Sequence, residues 1–161
     1  MRCSKRPNGF SLIEIMISVV LVGLSITALV LASNAFTMAN GAGADLSTAE
    51  FLIEQIRELT AMIPAVDPDN PTHFGQEATG TSYNDVDDFD NASFNPPINA
   101  ARTVLNDFPS FTQQVVVQKL NPSNLDQTVA DSSTSPFLRV TVTVIQNGEQ
   151  ISTASWIRAS Y

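Results

Sequence analysis

Glu14 is the only charged residue between Phe10 and Ala44, a run that reads FSLIEIMISVVLVGLSITALVLASNAFTMANGAGA and contains no proline. An ionised carboxylate inside a bilayer costs at least a few kcal/mol, so such a residue normally faces a partner and marks a function. A second concentration of acid stands at Tyr83-Asn84-Asp85-Val86-Asp87-Asp88-Phe89-Asp90-Asn91. Clustered hard oxygen ligands suit Ca²⁺, which makes Asp85, Asp87, Asp88 and Asp90 its candidate ligands; no other cofactor is indicated. The spacing lacks the central glycine and terminal glutamate of an EF-hand loop, and a solvated acidic turn is the simpler reading. His73, the single histidine, has no cysteine or second histidine to help it hold a metal, and Cys3 is the single cysteine. With no nucleophile–base pair and no phosphate-binding glycine loop, the chain does not read as an enzyme.

These residues need elements to position them. Ile15 to Phe36 supplies the roughly 20 apolar residues that cross a bilayer as a helix. Arg2, Lys5 and Arg6 precede it and an acidic segment follows, so the positive-inside bias places the N-terminus in the cytoplasm and the remainder outside. An ordinary secretory signal is one alternative, with Ser33-Asn34-Ala35 as its cleavage site, and a plain one-span anchor is another. The apolar run exceeds the roughly 7–15 residues of a secretory signal, and a discarded peptide has no use for a carboxylate at its start. The helical pattern also continues beyond the run, through Asp45–Ile63.

Lys5-Arg6-Pro7-Asn8-Gly9-Phe10-Ser11-Leu12-Ile13-Glu14 closely resembles the N-terminal motif of type IV pilins and type II secretion pseudopilins. The resemblance implies cleavage between Gly9 and Phe10 by prepilin peptidase, followed by N-methylation of Phe10. The hydrophobic segment is then retained. Glycine lets a protease approach an extended backbone closely and breaks helix propagation just before the membrane segment. Glu14, four residues after Phe10 and on the same helix face, is placed to pair with the Phe10 amine of its own chain or of a neighbour. In the family the neighbour's amine is favoured, which would set axial register during assembly; a snorkelling interfacial role is the plainer alternative.

Further along, Leu46, Ala49, Ile53, Ile56, Leu59 and Ile63 recur at three- and four-residue steps, with Glu50, Glu54, Arg57 and Glu58 largely on the other faces. Ile53, Ile56 and Ile63 read as packing on a sheet, and Pro64 ends the helix. Gly41 and Gly43 mark a weak point in it. Residues 64–110 read as a long acidic loop rich in Pro, Asn, Asp, Thr and Gly. Strands are expected at Thr112–Leu120, Phe137–Gln146 and Gln150–Arg158, with Asn147-Gly148 as a hairpin turn between the last two. The expected fold is α+β, a long helix on a small antiparallel sheet. Its parts are a cleaved leader (1–9), a transmembrane and filament-core stretch (10–36), an amphipathic stretch (37–63), the loop (64–110) and the sheet (111–161).

Sixteen acidic residues stand against eight basic ones, and loss of the leader removes three bases, taking the net charge from −8 to −11. The remaining bases are scattered singly, a pattern unsuited to nucleic acid. The acidic stretch and the ending Leu138–Arg158 also resemble a minor pilin of the mannose-sensitive haemagglutinin pilus type, although Asp90-Asn91-Ala92 stands where that motif has an aromatic and a glycine. Absence of a C-terminal cysteine pair departs from many major pilins and favours a minor subunit or a pseudopilin. The resemblance therefore implies a minor pilin held in the bacterial inner membrane, single-pass, with a periplasmic C-terminal domain and passage into an extracellular pilus. Its partners would be prepilin peptidase, the major and other minor pilins and the inner-membrane assembly platform. A type II secretion pseudopilin and a tip-displayed adhesive module are the alternatives.

Overall fold

One helix, α1, runs from Leu12 to Ala61. It appears in a computed structural model that describes residues 9–67, 70, 73–76 and 83–160. Leader residues 1–8, Cys3 among them, lie outside the described residues, as do parts of the expected loop. The helix was expected over 10–63 and is shorter at both ends. Ser11 caps its start, its Oγ accepting the Glu14 N–H at 3.3 Å and its carbonyl accepting the same N–H at 3.1 Å. At the other end Pro64 biases the preceding residue away from helix, and the last turn tightens through a Met62 N–H to Leu59 carbonyl bond of 3.1 Å.

The chain divides into two units at Gly43–Ala44, and α1 continues unbroken through Gly41 and Gly43. In the first unit every described residue is exposed, including all of its large apolar side chains. This part of α1 is long and apolar enough to cross a membrane. Four of its hydroxyls are satisfied internally: Ser18, Ser25, Thr27 and Thr37 each donate to the carbonyl four residues back, at 2.7–3.0 Å. A helix that enters lipid needs such self-sufficiency, because hydrocarbon offers no replacement partners.

The second unit is the folded domain. The C-terminal part of α1 buries Ala49, Leu52, Ile53, Ile56, Leu59 and Thr60. Leu52, missing from the sequence-derived face, is completely buried, whereas Leu46 is 47% exposed and Ile63 only half-buried. The buried stripe is therefore rotated from the expected one. Leu52 and Ile56 lie four residues apart, and Ile53 widens the stripe beyond a single row.

Against this face lies an antiparallel sheet of five described strands: β1 (Ser93–Phe94), β2 (Phe111–Asn121), β3 (Asn124–Thr128), β4 (Phe137–Gln146) and β5 (Glu149–Ala159). Their order is β1-β2-β4-β5, with β3 folding back on β2 alone. Strand periodicity puts Phe111, Gln113, Val115 and Val117 of β2 on the core face, with Leu138, Val140, Val142 and Val144 of β4. Register matches them in rows, Val115 opposite Val142 and Val117 opposite Val140; Val140 in turn faces Trp156 on β5. Burial of a valine or leucine side chain contributes about 1.5–3 kcal/mol, so these rows hold the domain without a disulfide. Asn147 and Gly148 both adopt positive φ, 51° and 88°, the geometry of the tight hairpin turn whose twist matches that of its strands. The α+β expectation of a long helix on a small antiparallel sheet is met.

Candidate functional site

Two groups of residues carry the chemistry singled out by the sequence. At the N-terminus, Gly9, Phe10 and Ser11 precede the helix, and Phe10 is 79% exposed. A Cβ added at Gly9 would meet nothing within 4 Å, so packing places no demand for glycine there. Ser11 and Glu14 have the S-x-x-E spacing of a capping box. Half of that box is formed, from the Glu14 N–H to Ser11 Oγ; among the described residues, the return bond from the Ser11 N–H to the Glu14 carboxylate is not made. The sequence signal for this cap was present and unread. Because Phe10 lies before the first helical residue, it does not share a helical face with Glu14 here, in contrast to the expected i, i+4 relation. The Glu14 carboxylate is exposed and takes no hydrogen-bond partner among the described residues.

The second group is the acidic stretch. A solvated turn was expected, and this is corrected: Asp85, Asp87 and Asp88 are only 1–2% exposed. They lie at and beside a 3-10 turn, Asp87–Phe89, whose Phe89 is fully buried against Tyr83 at 4.5 Å between ring centroids. The aspartates are drawn inside because a buried irregular loop leaves backbone N–H groups in need of acceptors. Asp85 Oδ1 accepts the Asp88 N–H at 3.2 Å, and Asp88 Oδ2 accepts those of Asn84 and Asp85 at 2.8 and 3.4 Å. Asp87 Oδ2 accepts the Gly75 N–H at 3.2 Å. Asp90 Oδ1 reaches across to the Val117 N–H of β2 at 2.9 Å. With the Ala92 carbonyl on the Val115 N–H and the short β1 pairing, this closes the edge of β2 as a surrogate strand.

Burial pushes the Asp85 carboxyl up to about 8, aided by the hydrogen bond to and the charge of Asp87. Burial raises Asp87 as well. The four calcium candidates are thus brought into one turn, but Asp90 is turned away to β2. Among the described residues no three His, Cys, Asp or Glu side chains are gathered as a metal site.

A family model described as the prokaryotic N-terminal methylation motif matches residues 4–30, which include Gly9, Phe10, Ser11 and Glu14. In this motif, and in a long N-terminal helix set on an antiparallel sheet, the chain is similar to type IV pilins and pseudopilins. No curated protein and no solved structure matches it. In the pilin and pseudopilin family this motif goes with processing by prepilin peptidase, membrane anchoring by the N-terminal helix and assembly with other pilins. Proteins of this family are structural. The match ends at residue 30, so the folded domain with its buried aspartates lies beyond it.

Proposed function

We propose that the chain is a minor pilin: an inner-membrane subunit, processed between Gly9 and Phe10 and methylated at Phe10, that enters or primes a type IV pilus through its helix. The observation that carries this reading is the first part of α1, apolar on every side and exposed throughout, with Glu14 as its only charge. Such a surface has to be covered, first by lipid and then by neighbouring helices of the same kind. The positive leader and acidic domain support an orientation with the leader in the cytoplasm and the domain in the periplasm. Leader 1–9, membrane and filament stretch 10–36, amphipathic stretch 37–63, loop 64–110 and sheet 111–161 are the corresponding parts.

Glu14 is proposed to pair with a Phe10 amine during incorporation. Since Phe10 lies ahead of the helix, the amine of a neighbouring chain fits this role better than that of the same chain. The test is expression of the tagged protein in cells that assemble pili, with mass analysis of sheared filaments. A filament-associated form starting at methylated Phe10 is expected at a small fraction of the major subunit. Recovery exclusively with a secretion apparatus, in cells whose pili lack the protein, would overturn the pilus assignment in favour of a pseudopilin.

A further inference from the structure

Asp85 and Asp87, two residues apart at one turn, are both buried, and among the described residues no cation compensates them. Five Lys and Arg residues follow the leader, and each is engaged elsewhere or exposed. Arg57 contacts Glu54 and the Trp156 ring, and Lys119 the Asp131 carbonyl and the Phe74 ring. Arg139 and Arg158 donate to the carbonyls of Leu125 and Ile63, while Arg102 sits on an exposed turn. One oxygen of each carboxyl is met by a backbone N–H, from Asp88 and from Gly75. The others, Asp85 Oδ2 and Asp87 Oδ1, are buried and meet no N–H donor among the described residues. Two adjacent carboxylates in such a place do not both stay ionised, because desolvation and like charge both disfavour the second negative charge. A proton between them supplies the missing donor and removes one charge.

We propose that Asp85 and Asp87 share one proton in the folded domain, and that this proton latches residues 83–92 onto the edge of β2, tightening in acid and slackening as the pH rises. The segment is held by the Val86 N–H on the Pro64 carbonyl, Asp90 on Val117 and Ala92 on Val115. Slackening it would bare the β2 edge, a surface open to another strand. Other titratable groups surround the pair. Asp88 and Asp90 share its turn, and the charge of Asp88 strengthens proton retention. Asp67 stands on the segment after Pro64 and Lys119 on β2. His73 lies two residues before Gly75.

The sign follows from burial. The Asp85 carboxyl, raised from 3.8 to about 8, keeps its proton in the folded chain over an interval in which the unfolded chain has lost it. The stability it contributes is therefore complete below the lower value and declines as pH rises to the upper one.

The test uses the full chain in nonionic micelles with EDTA, following thermal unfolding from pH 5 to 8.5 and the ¹³C carboxyl shifts of Asp85 and Asp87. One carboxyl step of the pair should appear above pH 7, and Tm should fall across the range. Asp85→Asn, whose amide donates where the proton did, should flatten that fall and raise Tm at pH 8.5. Asp87→Asn serves the same purpose should the first variant not fold, and His73→Gln should leave the fall in place. Both carboxyls titrating near 4, or an unchanged Tm slope in both Asn variants, would overturn the latch. So would Ca²⁺ alone, in the absence of EDTA, restoring wild-type Tm at pH 8.5 without effect on Asp85→Asn, since the pair would then be a cation site.

Discussion

The Gln113 side-chain amide donates to the Leu52 carbonyl at 2.8 Å, joining β2 to the buried face of α1 across 61 residues of sequence. The same amide donates to the Ile98 carbonyl at 3.1 Å, and its oxygen accepts the Ile98 N–H at 2.8 Å. One completely buried side chain thereby ties helix, sheet and loop. A buried amide is tolerated when its donors and acceptor are matched, and removing it leaves the Ile98 N–H stranded. Gln113→Leu should cost about 2–3 kcal/mol, read as a fall in the urea midpoint without a change in slope. A loss within about 0.5 kcal/mol, the range of an ordinary surface change, would show that the tie contributes little.

Leu52 supplies the other half of that junction. Leu52→Ala should destabilise the domain by about 2–5 kcal/mol, since it opens a cavity beneath the sheet. Leu46→Ala, at a side chain 47% exposed, should cost clearly less. Equal losses from the two variants, measured by chemical denaturation, would place the buried stripe of α1 where the periodicity alone put it.

Those two leucines show where the sequence was legible. Strands of β-branched residues in strict alternation, such as Leu138 to Val144, could be read directly, as could the Asn147-Gly148 turn, because each rests on local geometry. The helix face was less legible: Ala49, Ile53, Ile56 and Leu59 marked it, but Leu46 fits the same period and yet stays 47% exposed. At the N-terminus, Gly9 and Glu14 stood out by charge and position, whereas the Ser11 cap went unread beside the stronger signal. The acidic turn was the least legible part. Aspartates are ordinarily solvated, and their burial depends on backbone N–H groups of Gly75 and Val117, which are remote in sequence.

Asp90 separates an acceptor role from a charge role. Its Oδ1 takes the Val117 N–H, a duty that an asparagine carbonyl can also perform. Asp90→Asn should therefore lie within about 1 kcal/mol of the wild type. Asp90→Ala, which leaves a strand N–H without its acceptor, should cost about 1–3 kcal/mol. Faster hydrogen exchange at the Val117 amide in the alanine variant alone would be the local sign of the same loss.

Processing offers a test independent of stability. A side chain at Gly9 meets no neighbour within 4 Å, so Gly9→Val should fold as the wild type does and yet accumulate as an uncleaved precursor of higher mass. Normal mature protein from this variant, detected by intact-mass analysis of membranes, would refute cleavage at Gly9–Phe10.

Glu14 has two duties open to it, and one substitution divides them. The Ser11–Glu14 spacing is that of a capping box, in which glutamine serves as well as glutamate; pairing with an amine requires the charge. Glu14→Gln should thus leave cleavage, membrane insertion and the helix start intact while lowering recovery in sheared filaments at least tenfold. Ser11→Ala should do the reverse, weakening the helix start by about 1 kcal/mol with little effect on incorporation. If Glu14→Gln enters filaments at the wild-type level, the charge is dispensable and the pairing with Phe10 is lost as an explanation for its place in the apolar run.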